Sequence, residues 1–268
     1  MTVDAALSNV ERQERMLRFV EQRQRVTIAD ICDQFGVSVA TARRDLEALA
    51  ERSSVRRVHG GALAIRAPPE LPALQRAGEQ ADEKRRIGQA AAGLVADGET
   101  VFLSSGTTTL EVARSLRRQR RLTVITNSLL ALNELADAPD ITLVGLGGLL
   151  RRSEMSFIGH ITEQALAEVR ADKVIIGIRA IDAEQGLTND FLPETMTDRA
   201  IMRIAREVIV VADHSKCGRV SAAFVAPLSA MRTLVTDSGT PPEFVDALTA
   251  QGIPVLVLHV HVFQVRCH

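Results

Sequence analysis

Six small, mostly hydroxylated residues, Ser104-Ser105-Gly106-Thr107-Thr108-Thr109, follow the apolar run Val101 to Leu103 and lead into a helix-like stretch. Such a turn can hold an anion. Gly106 lets the backbone approach a ligand closely, and the first turn of a helix presents free N–H groups and a positive dipole end to phosphate. The same residues also suit a plain cap and turn, so the turn has to be weighed against what surrounds it. A second group stands near the start of the chain. Arg43 and Arg44 lie six and five residues before Leu49 in "SVATARRDLEAL", and Arg56, Arg57 and His59 follow in "RRVHGGAL". Arginine can grip guanine edges in a major groove or a backbone phosphate.

Further candidates recur downstream. Asn127 and Ser128 follow an apolar run, Gly147 and Gly148 offer another close backbone approach, and Lys216 and Arg151 could supply countercharge. Glu194 could accept hydrogen bonds from ligand hydroxyls. Each also has an ordinary structural reading: a loop lysine, an ion-paired arginine, an acid at a helix start.

The elements that must carry these residues divide the chain. Residues 64 to 82, "AIRAPPELPALQRAGEQAD", break the periodic pattern with three prolines, and a linker is expected over 67–82 between domains at 1–66 and 83–268. Before the linker, helical spacing runs through Val10 to Arg23, Ile28 to Phe35 and Ser38 to Ser53. Gly36 suits a left-handed turn, and Ser38 an N-cap. On the last of these helices Val39, Ala42, Leu46 and Leu49 are expected inward and Thr41 and Arg44 outward, with Arg43 about 100° from Arg44. This is the spacing of a helix-turn-helix with a short basic wing. After the linker, strand candidates at 100–104, 122–126, 141–145, 173–178, 208–212, 233–236 and 254–259 alternate with helices at 108–118, 128–137, 161–169, 195–206 and 242–251. That alternation predicts an α/β domain with a largely parallel sheet. The candidate binding residues fall at strand C-terminal ends, where open α/β sheets receive ligands.

Composition narrows the classes. The chain has 268 residues, 46% hydrophobic, and a net charge of −1, enough for two globular domains. Charge is unevenly spread: residues 1–66 hold 11 Arg against 9 acids, and residues 43–66 hold six Arg against three. That local basic patch suits a nucleic acid. No apolar run approaches a membrane span, and the start lacks a signal-peptide pattern, so a cytoplasmic protein without membrane partners is expected. Cys32, Cys217 and Cys267 are odd in number and widely spaced, as expected of reduced thiols. The terminal "HVHVFQVRCH" invites a metal reading through His259, His261, Cys267 and His268, but the alternation fits a strand end and tail, and neither metal nor cofactor is expected.

The run "VSVATARRDLEAL" with "RRVHGGAL" resembles the DeoR family of bacterial transcription regulators. The resemblance continues in order through "EKRRIGQAAAGLV", "SSGTTTLEVA", "TNS", "GGLLRRSEMSFIG", "ADKVIIGIRAID" and "ADHSKCG". It implies an N-terminal winged helix-turn-helix and a C-terminal Rossmann-like sensor similar in fold to ribose-5-phosphate isomerase, glucosamine-6-phosphate deaminase and CoA transferases. It also implies a repressor of carbohydrate genes that binds double-stranded operator DNA and a phosphorylated sugar or related metabolite. Three departures stand out: Ala42 replaces a larger aliphatic residue, Ser53 and Ser54 stand where glycine is common, and Ser104 stands where aspartate usually precedes the Gly-Thr-Thr turn. Paired operator half-sites imply a symmetric oligomer, a dimer or tetramer. The alternative is a sugar-phosphate isomerase or deaminase, with Asp182 or Glu184 as general base.

Overall fold

A computed structural model describes residues 9–23, 25–52, 54–58, 60–64 and 72–259. The chain falls into two compact units that divide after residue 70. The first comprises α1 (Asn9–Arg23), β1 (Arg25–Thr27), α2 (Ile28–Phe35), α3 (Val39–Glu51), β2 (Val55–Val58) and β3 (Gly61–Ala64). The three strands form an antiparallel sheet in the order β1-β3-β2. Met16, Val20, Ile31, Ala42, Leu46, Leu49 and Val55 make its core. A reciprocal capping box between Thr27 and Asp30 starts α2, and Gly36, at φ 62°, ends it with its N–H on the Cys32 carbonyl. This single left-handed residue turns the chain between α2 and α3.

The second unit opens with α4 (Ala73–Arg76) and α5 (Ala81–Gly93). Residues 72–82, expected within the linker, therefore belong to the folded sensor: Ala73 is buried, and its N–H donates to the Ser153 carbonyl at 2.7 Å. Three prolines and a polar composition conceal this contact, because it is made to a residue far along the chain. The expected α/β alternation follows, as β4 (Thr100–Leu103), α6 (Thr107–Leu116), β5 (Leu122–Thr126), α7 (Leu129–Leu135), β6 (Ile141–Gly145), the hairpin β7 (Leu149–Arg151) and β8 (Ser156–Ile158), and α8 (His160–Ala167). The chain continues through β9 (Ala171–Gly177), β10 (Ala180–Asp182), β11 (Gly186–Asn189), α9 (Leu192–Met202), β12 (Ala205–Val211), β13 (Ala223–Ala226), β14 (Thr233–Asp237), α10 (Pro242–Ala250) and β15 (Val255–Leu258).

Seven strands form one parallel sheet in the order β15-β14-β12-β9-β4-β5-β6. Its strands are apolar on both faces, as a covered parallel sheet requires. Val101, Leu103, Ile175 and Val211 pack with Ile87, Val112 and Leu116 of α5 and α6 on one side. Phe102, Val174, Ile176 and Val210 pack with Leu166, Ile201 and Leu248 of α8, α9 and α10 on the other. A small antiparallel sheet, β10-β11-β13, adds to this second core. Because the seven strands run in one direction, the ends of β4, β5, β9 and β12 open on a common edge.

Candidate nucleic-acid interface and anion cradle

In the first unit, Ser38 caps α3 by accepting the Thr41 N–H at 3.2 Å, and its hydroxyl lies 3.0 Å from that of Thr41. Ala42, Leu46 and Leu49 point inward as expected, but Val39 does not; it is 50% exposed. Val39 lies on the same stripe but is the first residue of α3, directly after the Ser38 cap. Asp45 is the unexpected inward residue. Its carboxylate accepts from Arg12 Nε at 2.7 Å, Arg12 Nη2 at 3.1 Å and Gln13 Nε2 at 3.1 Å, fastening α3 to α1. Burial raises the Asp45 pKa, but its hydrogen bonds with Arg12 and Gln13 and the charges of Arg12 and Arg44 outweigh that, so it is lowered overall. Arg43 and Arg44 are exposed, and among the described residues neither has a hydrogen-bond or ion-pair partner. Arg57, on β2, meets Glu47 of α3 at 3.4 Å. Arg56 also lies on β2, with its side chain outside the described structure, and His59 lies outside the described residues. A capped helix with two unengaged guanidiniums beside a basic hairpin can read base edges and hold phosphates.

In the second unit, β4 runs into Ser104 and Ser105, and Gly106 stands at the N-cap of α6 with φ 128° and no side-chain cap. Only glycine adopts that backbone without strain. The first-turn amides of α6 thus meet no capping side chain, the arrangement that receives an anion. Thr107, Thr108 and Thr109 are all buried, and Thr109 Oγ1 donates to the Gly106 carbonyl at 2.9 Å, tightening the turn. Ser104 bridges strand ends: its N–H donates to the Ile175 carbonyl at 3.0 Å, and its hydroxyl accepts from Gly177 N at 3.3 Å.

Asn127 and Ser128 differ in what they offer. Ser128 caps α7 through the Ala131 N–H at 3.2 Å, and so serves the helix. Asn127 donates from Nδ2 to the Phe157 carbonyl at 2.9 Å, while its buried Oδ1 has no partner. A buried acceptor left unmatched is costly, and Oδ1 is free to accept a further hydrogen bond. Gly147 accepts the Thr162 hydroxyl through its carbonyl at 2.9 Å, and a Cβ on Gly148 would collide with that hydroxyl. The close approach at Gly148 is therefore to α8, a reason different from the ligand contact expected of it.

Arg151 and Glu194, proposed separately as countercharge and hydroxyl acceptor, form an ion pair. Ser156 also donates to Glu194, at 3.2 Å, and the Arg151 guanidinium stacks 4.3 Å over the Phe191 ring. One turn along α9, Asp198 accepts from Asn189 Nδ2, and burial first and Glu194 second push its pKa well up. Lys216 sits on the short 3-10 turn His214–Lys216 after β12. Its pKa is lowered by burial, and it shares electrostatic neighbours Asp213, Arg76 and Glu79 with Lys84 of α5. Lys84 is 4% exposed, also lowered by burial, and donates to the Arg76 carbonyl at 2.8 Å. Arg179 contributes a further positive charge near Lys216 and meets Asp190 at 2.8 Å.

Lys84 was not anticipated, though a signal existed: Lys84, Ile87 and Ala91 share the buried face of α5, where a lysine is out of place. Asp182, a base candidate for the enzymatic alternative, accepts the N–H groups of Glu184 and Gln185 at 2.9 Å each, the work of a turn former. Among the described residues, no acid, histidine and cysteine group is placed to hold a metal ion; His261, Cys267 and His268 lie outside them. Cys32 and Cys217 are free thiols, Cys217 buried with its pKa raised by desolvation. No described helix is long and apolar enough to cross a membrane.

A helix-turn-helix head joined to an α/β unit with a candidate ligand site is the make-up of a DNA-binding regulator with a sensor domain. Family comparison is direct: residues 12–67 match the DeoR-like helix-turn-helix domain and residues 79–238 the DeoR C-terminal sensor domain. The chain belongs to the DeoR family of transcription regulators. It is 36% identical over 235 residues to the transcriptional repressor AccR of Agrobacterium fabrum, covering 87% of this chain and 91% of that protein. It is 32% identical over 247 residues to the glycerol-3-phosphate regulon repressor of Escherichia coli K12, covering 92% and 98%. Among solved structures, ribose 5-phosphate isomerase A of Methanocaldococcus jannaschii superposes with a TM-score of 0.39 at 21% identity, over 52% of this chain and 55% of that one.

Proposed function

We propose that this regulator is a cytoplasmic repressor of carbohydrate genes, released from its operator by a phosphorylated sugar or related metabolite bound at the α6 cradle. The reading rests above all on one juxtaposition: uncapped helix amides on a strand edge whose sheet also carries the half-buried Lys216, which shares electrostatic neighbours with the buried Lys84. A buried ammonium such as that of Lys84 is unfavourable without an anion, and a phosphate would supply one. The unmatched Asn127 Oδ1 suits a hydroxyl donor on the same ligand. In the head, Arg44 is assigned to base edges, Arg43 to phosphate, Thr41 and Ser38 to the helix start near the backbone, and Arg56, Arg57 and His59 to the wing contact. The protein acts as a symmetric oligomer, two heads matching two half-sites. The test is a thermal-shift screen of sugar phosphates followed by operator titrations with each compound that raises the melting temperature. At least one should also release the operator DNA. Failure of every sugar phosphate to do both would refute the effector assignment.

A further inference from the structure

The chain that leaves the head enters the sensor unit at α4. Eight residues, 65–72, separate the end of β3 from the start of α4, which is itself only four residues long. A helix of one turn does not hold itself; its position comes from what ties it down. The Ala73 N–H donates to the Ser153 carbonyl at 2.7 Å, and the Arg76 guanidinium pairs with Glu154, both side chains largely buried. These ties reach the turn between β7 and β8. From the other side, the Arg76 carbonyl accepts from Lys84 Nζ of α5 at 2.8 Å as well as from the Glu79 N–H at 3.1 Å. That tie alone has an ammonium for its donor.

Lys84 stands level with the cradle. Gly88 of α5 lies against the α6 backbone, where a Cβ would come within 2.6 Å of the Glu111 carbonyl carbon. Both helices start at the same edge of the sheet: α6 because it follows β4 directly, and α5 because Lys84 counts Asp213 and Lys216, just past the end of β12, among its electrostatic neighbours. About one turn back from the Gly88 contact on each helix come Lys84 on α5 and Thr107 on α6. The ammonium that holds α4 is therefore at the height of the first turn of α6, whose amides lack a capping side chain, and α4 itself lies against α6.

An ammonium offered a phosphate oxygen in place of a neutral carbonyl gains the attraction of opposite charge, in surroundings where burial leaves that attraction poorly screened. We propose that α4 is a latch between effector and head: phosphate at the α6 turn draws Lys84 Nζ from the Arg76 carbonyl, α4 loosens, and the chain leading to the head loses its fixed starting point. The proposal rests on the reading of the α6 turn as the effector site. Arg76 and Glu154 are positioning residues in it, setting how firmly the latch is closed. Loosening α4 from their side must weaken operator binding and strengthen phosphate binding, because the two ligands draw on opposite states.

Hydrogen–deuterium exchange on the full chain tests it, comparing inorganic phosphate with sodium chloride at equal ionic strength. Phosphate should protect the amides of Thr107, Thr108 and Thr109 and speed exchange at Ala73 and Ala77, whose N–H groups are bonded in the closed latch, by about 5-fold or more, the lower end of ordinary allosteric coupling. Protection in α6 without faster exchange in α4 overturns the latch and leaves the cradle standing. If phosphate changes neither, the cradle does not hold the anion and the latch falls with it. Glu154→Gln supplies a second arm, removing the charge that holds Arg76 while leaving the α6 turn and both lysines as they are. Its affinity for operator DNA without phosphate should fall about 5-fold or more, and its affinity for phosphate should rise. A residue that only supports the fold would lower the melting temperature and leave phosphate binding unchanged or weaker, a result that refutes the proposal. Should Glu154→Gln fail to fold, Arg76→Lys, which exchanges the planar fork for a single ammonium, is judged by the same pair of affinities.

Discussion

Lys84 allows the sharpest test of the cradle, because a structural lysine and a ligand-receiving one respond oppositely to removal of the charge. Replace it by methionine, which keeps the length and apolar stem of the side chain. In the effector-free protein the change loses one hydrogen bond from a charged donor, Nζ to the Arg76 carbonyl at 2.8 Å, worth about 1.5–3 kcal/mol. Against this, an ammonium only 4% exposed no longer has to be desolvated, and desolvation is the largest influence on it, ahead of the attraction of Asp213. These effects oppose one another, so Lys84→Met should unfold in urea within about 1 kcal/mol of wild type. The effector-bound state is different. Loss of a charge-assisted contact to phosphate costs about 1.5–3 kcal/mol, or roughly 10- to 150-fold in affinity. The assay pairs urea titration of the free protein with calorimetric or thermal-shift titration of the active sugar phosphate. A variant destabilised by more than 2 kcal/mol that still binds effector normally would show that Lys84 serves the fold, and would refute the reasoning.

Other expectations are equally direct. Arg44→Ala should cost on the order of 1–3 kcal/mol on operator DNA with little effect on random DNA, whereas Arg57→Ala should weaken both; anisotropy titrations on the two DNAs check the contrast. Thr108→Glu places a carboxylate in the α6 first turn, so operator binding should persist and release by effector be lost in gel shifts. Asp198, raised above its ordinary 3.8, holds its proton more tightly folded than unfolded, so its stabilising contribution is present at low pH and lost as pH rises above 3.8. Asp198→Asn should therefore gain on wild type with rising pH, by up to about 1.4 kcal/mol per unit, in urea titrations at several pH values. Lys84 and Lys216 are lowered from 10.5, and a bound anion favours their charged forms. Effector affinity should be full at neutral pH and fall as pH climbs toward 10.5, a decline that the Lys84→Met variant should flatten when followed by calorimetry.

The seven strands of the large sheet were legible because each is a short apolar run between helical periods, and burial on both faces leaves that signature whatever the tertiary detail. Short elements were not. β7, β8, β10 and β13 have three or four residues each, too few for a period of two to stand out. Helix α5 was visible only as a motif, since its charged first turn disguises the stripe of Lys84, Ile87, Gly88 and Ala91. In the head, the cap at Ser38 and the turn at Gly36 follow from local chemistry and could be read directly. The inward Asp45 could not, because its partner Arg12 lies 33 residues away. The ion pair of Arg151 with Glu194 spans 43 residues, so each residue looked like a lone candidate. Pairings of that range come from topology, which a single sequence does not display.

That pairing also sorts the charges around the cradle into two kinds. Arg76 is matched with Glu154, Arg151 with Glu194 and Arg179 with Asp190. Planar guanidiniums with carboxylate partners fix geometry, and they hold the hairpin β7–β8, α4 and α9 in register with the sheet. The two lysines are different. Lys84 donates to the neutral Arg76 carbonyl, and Lys216 is screened mainly by Asp213, whose Oδ1 already accepts the Ser215 amide at 3.0 Å and the Ser215 hydroxyl. Compact ammoniums held by neutral or shared acceptors are incompletely compensated, and on the proposed reading a bound anion would offset the free energy lost in removing them from water. A site arranged this way changes more on binding than one whose charges are already matched, and that difference between its empty and filled states is what a ligand needs in order to shift a protein between them.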